Sequence, residues 1–246
     1  YNHLLKLKKE LESRNESETG VRYEWYALQR YGANYWQEFE KEKIIWIEIS
    51  DRANYCLDTE GHYLTNSAYF ITGKNLKYLL ALLNSRLMDF YFFQKTAQIA
   101  GGRKRYTKQY VELLPIPQLD DEILIRKFEI IVEYLIFLND VTKPQVNPYT
   151  ENTKLAPVFE DVLNMMVYEL YFKDHMKEEE IDVLKYIDTD KLFKDLSAYK
   201  DDEVKKSIIS RAYSKLQEQD NEIRNRIISS NIKSTDKIRR VNSTTH

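Results

Sequence analysis

Apolar residues recur along this chain with two different periods, and the change falls near its middle. In the first half, Lys43-Ile-Ile-Trp-Ile-Glu-Ile49 is short, β-branched and aromatic, and predicts a strand. Tyr55–Thr59 and Ala68–Thr72 predict two more, with Glu60-Gly61-His62 as the turn between hairpin arms. Leu76, Leu79, Leu80, Leu83, Leu87 and Phe90 fall on one helical face and predict a helix over Asn75–Tyr91, bent at Asn84-Ser85. Upstream, Leu4, Leu5, Leu7 and Leu11 among Lys and Glu read as the end of a helix, and the polar stretch Arg14–Gly20 then loosens the chain.

From Ala97 to Lys108 the pattern collapses into a basic loop, and Leu114-Pro-Ile-Pro117 forms an extended stop, since each Pro disfavours helix in the residue before it. Beyond it everything is helical. Ile123–Leu138 is strongly apolar, Pro144–Pro157 reads as a linker, and Val158, Phe159, Val162, Leu163, Met166, Val167, Leu170 and Tyr171 form a helical stripe. Residues 201–229 predict a charged amphipathic helix, and the last dozen residues read as frayed. The expected fold is α+β: a mixed or antiparallel sheet with a packed helix over 20–117, preceded by a helix end at 1–19 and followed by an all-α region over 118–246.

Composition narrows the setting. At 246 residues the chain can bury one large core or two small ones, and its 43% hydrophobic content is ordinary. No apolar run approaches the ~18–20 residues of a membrane span. A lone Cys56 and the lack of a signal peptide point to a reducing cytoplasm. The sequence begins at Tyr1, within a helical pattern and without Met, which reads as a piece of a longer protein. The net charge of −2 hides an asymmetry: residues 1–117 hold 17 Lys/Arg against 14 Asp/Glu, 118–204 hold 10 against 21, and 205–246 hold 10 against 4.

Catalytic motifs fail on context. Asn147-Pro148-Tyr149 approaches the Asn-Pro-Pro-aromatic loop of DNA amino-methyltransferases but lacks one proline and lies between helices. No Gly-rich loop follows a strand, so no S-adenosylmethionine cradle is evident. The sole Glu-x-Lys, Glu203-Val-Lys205, opens a charged helix, where a carboxylate favours the dipole. The four His are scattered, without zinc spacing. The fragment is expected to be non-catalytic, with no cofactor or metal of its own.

Three polar clusters carry more. Gly101-Gly-Arg-Lys-Arg-Tyr-Thr-Lys-Gln-Tyr110 has four cations and no acid. Arg can fork onto guanine, Gln onto adenine, and Lys onto phosphates, while the structural alternative is a solvated basic loop. Tyr23–Arg30 interleaves aromatics with Gln29 and Arg30, and its alternative is a short helix burying Trp25 and Leu28. Ile49–Asn54 places Arg52 and Asn54 directly after the strongest strand, where a scaffold presents a site or an ordinary loop.

In this order, Trp25-Tyr26-x-Leu28-Gln29-Arg30, Lys43–Ser50, Leu57–Gly61, Ala68–Gly73, Leu76–Leu87 and Gly102–Pro117 resemble the TaqI-like C-terminal specificity domain of DNA adenine methyltransferases in type II restriction-modification systems. Phe159–Phe172 resembles the helical tail that follows it. The resemblance implies a target-recognition fragment that binds double-stranded DNA. Upstream methyltransferase and nuclease domains of the same chain would carry S-adenosylmethionine, Mg²⁺ and the chemistry, including extrusion of the target adenine. It selects Arg103, Lys104, Arg105, Tyr106, Lys108, Gln109, Gln29, Arg30, Arg52 and Asn54 as DNA contacts, with lysines on phosphates and an arginine reading a base. The competing readings are a specificity subunit of a multi-subunit restriction system and a helical protein-interaction module.

Overall fold

A computed structural model of the chain describes residues 1–17, 24–27, 36–97 and 99–231. Two compact units are formed, Tyr1–Glu42 with Thr59–Tyr63, and Lys43–Asp58 with Leu64–His246.

The first unit holds α1 (Asn2–Leu5), α2 (Lys8–Ser17) and a 3₁₀ turn at Trp36–Glu40. Helix α2 runs on past Arg14, where loosening was expected, because polar side chains of this kind cost a helix only tenths of a kcal/mol each. The rings of Tyr1, Trp25 and Tyr26 meet edge-on or tilted, with centroids 5.5–5.8 Å apart. Gly61 has φ +77°, a backbone conformation that residues with a Cβ rarely adopt, where segment 59–63 lies against the 3₁₀ turn. Phe39 stacks on Tyr63 beside it, at 5.0 Å.

In the second unit the strands are β1 (Lys43–Ile47), β2 (Ile49–Ser50), β3 (Tyr55–Asp58), β4 (Ala68–Ile71) and β5 (Lys104–Arg105). Its helices are α3 (Leu76–Leu83), α4 (Arg86–Lys95), α5 (Lys108–Val111), α6 (Glu122–Asn139), α7 (Asn152–Tyr171), α8 (Lys173–Glu178) and α9 (Asp202–Gln217), then a helical stretch at 222–231. The sheet order is β3-β1-β4, antiparallel throughout. The hairpin expected across Glu60-Gly61-His62 therefore does not form. Strand β1 carries the buried Ile44 and Trp46 and takes the centre, where both of its edges find partners, so β3 and β4 flank it instead of pairing with each other.

Helix α3 is buried on nearly every side because it has neighbours on both: β1 and β3 on one, α6 and α7 on the other. The bend at Asn84-Ser85 is a break between two helices. Ser85 caps α4 by accepting the Met88 N–H at 3.2 Å. The Asn84 side chain accepts the Tyr55 N–H at 3.0 Å and donates to the Tyr55 carbonyl at 2.9 Å, completing the edge of β3 as another strand would.

Helix α6 packs against both α3 and α7, so one core runs from the sheet into the helical region. Pro117 marks a change of element, and the core passes beneath it. The linker expected over Pro144–Pro157 is shorter, because α7 begins at Asn152 and keeps Pro157 in its second turn, where only one intrahelical donor is lost. The helix expected over 201–229 is interrupted at Glu218, which is extended, and helix resumes where Asn221 accepts the Arg224 N–H at 3.0 Å. The frayed end read for the last dozen residues lies outside the described residues. Among the described residues no helix is long and apolar enough to cross a membrane.

Candidate nucleic-acid interface

The segment expected to be a free basic loop is pinned at several points within the second unit. Strand β5 pairs antiparallel with β2, Ile49 opposite Arg105 and Ser50 opposite Lys104. This pairing brings together two clusters that lie fifty residues apart in sequence, Ile49–Asn54 and Gly101–Tyr110. Beyond β5 the ladder continues through Tyr106, whose N–H donates to the Glu48 carbonyl at 2.6 Å. The Tyr106 carbonyl accepts the indole N–H of Trp46 at 2.7 Å.

Burial then sorts the candidates. Arg52, Asn54, Arg103, Arg105, Lys108 and Gln109 are exposed. Lys104 is not: it is 2% exposed, and its ammonium donates to the carbonyls of Phe93, at 3.0 Å, and Thr96. These carbonyls end α4, where acceptors lack intrahelical donors and the dipole favours a cation. The Phe93 ring lies 4.8 Å from the same ammonium. Lys104 caps a helix from inside the fold and cannot meet a phosphate, which corrects the expectation drawn from its basic neighbours.

Tyr106 is withdrawn in the same way, at 2% exposure. Its ring stacks on Phe92 with centroids 4.2 Å apart and planes 2° from parallel, and meets Tyr55 edge-on at 6.2 Å. Its hydroxyl donates to Asp89 Oδ1 at 2.9 Å. Burial, with the Asp89 charge behind it, pushes the Tyr106 hydroxyl far above its ordinary pKa, so it remains a donor. The Tyr55 hydroxyl is raised for the same two reasons.

Exposed cations here do have acidic neighbours, contrary to the reading of an acid-free loop. Arg105 lies 3.2 Å from Glu48, and Lys108 lies 3.4 Å from Glu112. Both cations are more than half exposed, and such pairs hold by at most about 1 kcal/mol, so a phosphate can displace the carboxylate. Gln29 and Arg30 lie outside the described residues, and of their cluster Glu24–Ala27 forms a turn in the first unit.

Sequence reasoning missed Asp89, Asn84 and Trp46, whose polar atoms hold the segments in place. The signal for Asp89 was a lone carboxylate within the aromatic run Arg86-Leu-Met-Asp-Phe-Tyr-Phe-Phe93. The catalytic near-matches have ordinary structural roles. Asn147 accepts the Tyr149 N–H at 2.8 Å in a surface turn, with Tyr149 94% exposed, and Glu203 sits in the first turn of α9. Among the described residues no group of His, Cys, Asp and Glu could hold a metal ion.

The second unit thus presents a three-stranded sheet with a packed helix and a short two-stranded ribbon, with Arg105 exposed on that ribbon and Arg52, Asn54, Arg103, Lys108 and Gln109 exposed in the segments that flank it. Residues 4–116 match the family described as the TaqI-like C-terminal specificity domain. The match ends within one residue of Pro117 and begins earlier than the resemblance quoted from Trp25, taking in the second half of α1 and all of α2. It covers a little under half of the chain, so the helical tail lies outside it. No curated protein matches the chain.

Proposed function

We propose that this chain reads the target sequence in double-stranded DNA for an adenine-specific methyltransferase of a type II restriction-modification system, through the ribbon β2–β5 and its flanking loops. The observation that carries the reading is the convergence of Arg52 and Asn54 with Arg103, Arg105, Lys108 and Gln109, all exposed, beside one short antiparallel ribbon. Arg and Gln beside such a ribbon have forked donors and acceptors that match those of base edges in the major groove. Lys108 supplies charge for the backbone. Methyl transfer, and any cleavage, then falls to methyltransferase and nuclease domains that hold S-adenosylmethionine and Mg²⁺, while this chain chooses where they act.

The test is duplex binding by fluorescence anisotropy over a range of salt, with the preferred sequence first selected from a randomised pool. Removing Arg103, Arg105 and Lys108 together is expected to lower the slope of log affinity against log salt by roughly 1–3 units, because each of them that neutralises a phosphate releases about 0.9 counterion. A charge that only reads a base would leave the slope and relax discrimination instead. Unchanged affinity and slope in the triple variant would return these side chains to an ordinary solvated surface.

A further inference from the structure

The geometry points to Asp89 as a positioning residue that holds the two DNA-reading segments, 49–54 and 103–109, at a fixed distance from each other. The inference rests on the function proposed above and deepens it.

One atom makes both connections. Asp89 Oδ1 accepts the Ala53 N–H at 2.9 Å and the Tyr106 O–H at 2.9 Å. Ala53 lies between Arg52 and Asn54, and Tyr106 lies between Arg105 and Lys108. Each exposed candidate on or beside the ribbon is thus within three residues of a group tied to this carboxylate. The ribbon cannot supply that constraint alone, since its strands have two residues each and a two-stranded pairing of any length is marginal in water. Helix α4 supplies it from both ends. Asp89 stands in its first turn, where the dipole favours a negative charge, and the carbonyls of Phe93 in its last turn and of Thr96, its C-cap, hold Lys104. Stacking of Tyr106 on Phe92 fixes the ring plane, so the hydroxyl arrives at Asp89 from one direction.

Base reading and phosphate attraction respond differently to a loss of this kind. A forked hydrogen bond to a base edge fails when its donor moves by a fraction of an ångström, whereas attraction to phosphates tolerates such motion. Asp89 carries no cation, so its loss leaves the number of neutralised phosphates unchanged. Releasing segment 51–54 therefore weakens discrimination and spares the salt slope.

The experiment measures Asp89→Ala, Asp89→Asn and Tyr106→Phe in the 246-residue chain, on the selected duplex and on duplexes with one base pair changed. Asp89→Ala is expected to lower the ratio of cognate to mismatched affinity by about tenfold with the salt slope unchanged, the scale of one good base contact. Asp89→Asn keeps an oxygen that accepts both hydrogen bonds and should retain the ratio. Tyr106→Phe removes one of the two ties and should fall between them. Simple destabilisation would lower the active fraction of protein without changing either ratio or slope. A folded Asp89→Ala chain with full discrimination overturns the inference. Should that variant not fold, full discrimination in Tyr106→Phe overturns it instead. Failure of the underlying function looks different: the Arg103, Arg105 and Lys108 triple variant would then bind as the parent does.

Discussion

Replacing Lys104 by Met separates two accounts of the basic segment. If Lys104 meets phosphate, its loss weakens DNA binding and lowers the salt slope by about one unit, with the fold unaffected. The structure requires the reverse. Met keeps the aliphatic stem and deletes the ammonium, which leaves the Phe93 and Thr96 carbonyls without that donor and removes the cation from the Phe93 face. Each hydrogen bond from a charged donor contributes about 1.5–3 kcal/mol, and the cation–π contact up to about 2 kcal/mol when desolvated. Against this, the variant no longer desolvates an ammonium, which recovers several kcal/mol. The expected net loss is about 2–4 kcal/mol, since two buried carbonyls left unsatisfied cost about 1–3 kcal/mol each and the relieved desolvation offsets part of that. Arg105→Met is the control: Arg105 is half exposed and paired with Glu48, so its cost should not exceed about 1 kcal/mol. Urea denaturation followed by circular dichroism gives both values. A Lys104→Met midpoint equal to that of the parent, with a lowered salt slope, would refute the capping role.

Two further outcomes follow from charges elsewhere in the second unit. Lys43 and Asp58 are directly opposite in the β1–β3 register, form an ion pair and are both buried, so Asp58→Ala should cost about 3–5 kcal/mol, whereas a Lys43→Met, Asp58→Leu double replacement should recover much of it; additive losses in a double-mutant cycle would contradict this. Acid should destabilise the fold only at low pH. Asp188 is held below the ordinary 3.8 by the Lys191 N–H and then the Asp190 N–H, and Asp195 lies low although burial opposes it, because Ser197 and Arg126 hydrogen-bond its carboxylate. Depressed folded-state values mean the unfolded chain takes up protons first, so this stabilisation is full above about pH 4 and is lost as pH falls further. A urea midpoint that already declines between pH 8 and pH 5 would argue against that assignment, and Asp188→Asn should flatten the acid limb.

Much of the architecture was legible in the chain because local pattern and burial agree there. The stripe from Val158 to Tyr171 became α7, the run Lys43–Ile47 became the central strand, and Asn84-Ser85 became a helix break. The antiparallel sheet and the helical second half follow from the change of period. Legibility failed where an element's neighbour lay far along the sequence. Glu60-Gly61-His62 has the residues of a tight turn, yet a turn signal says nothing of which strand will compete for the edge, and β1 won both edges.

At the candidate interface the sequence by itself determined which chemistry is present: cations, amides and aromatics in two short segments, and the family pattern around them. Only the tertiary structure decided which of those groups face outward. Arg103, Lys104 and Arg105 are consecutive and chemically alike, but successive residues of a strand point to opposite sides, and a side chain facing inward at β5 meets the carbonyls that end α4. Composition carries no trace of that alternation's phase, which the Ser50–Lys104 pairing sets. The role of Asp89 was hidden for the same reason, although the residue stands out as a lone carboxylate in an aromatic run. Its two partners lie 36 residues before it and 17 after it, and a carboxylate acquires its role only when folding brings an amide and a phenol to one oxygen.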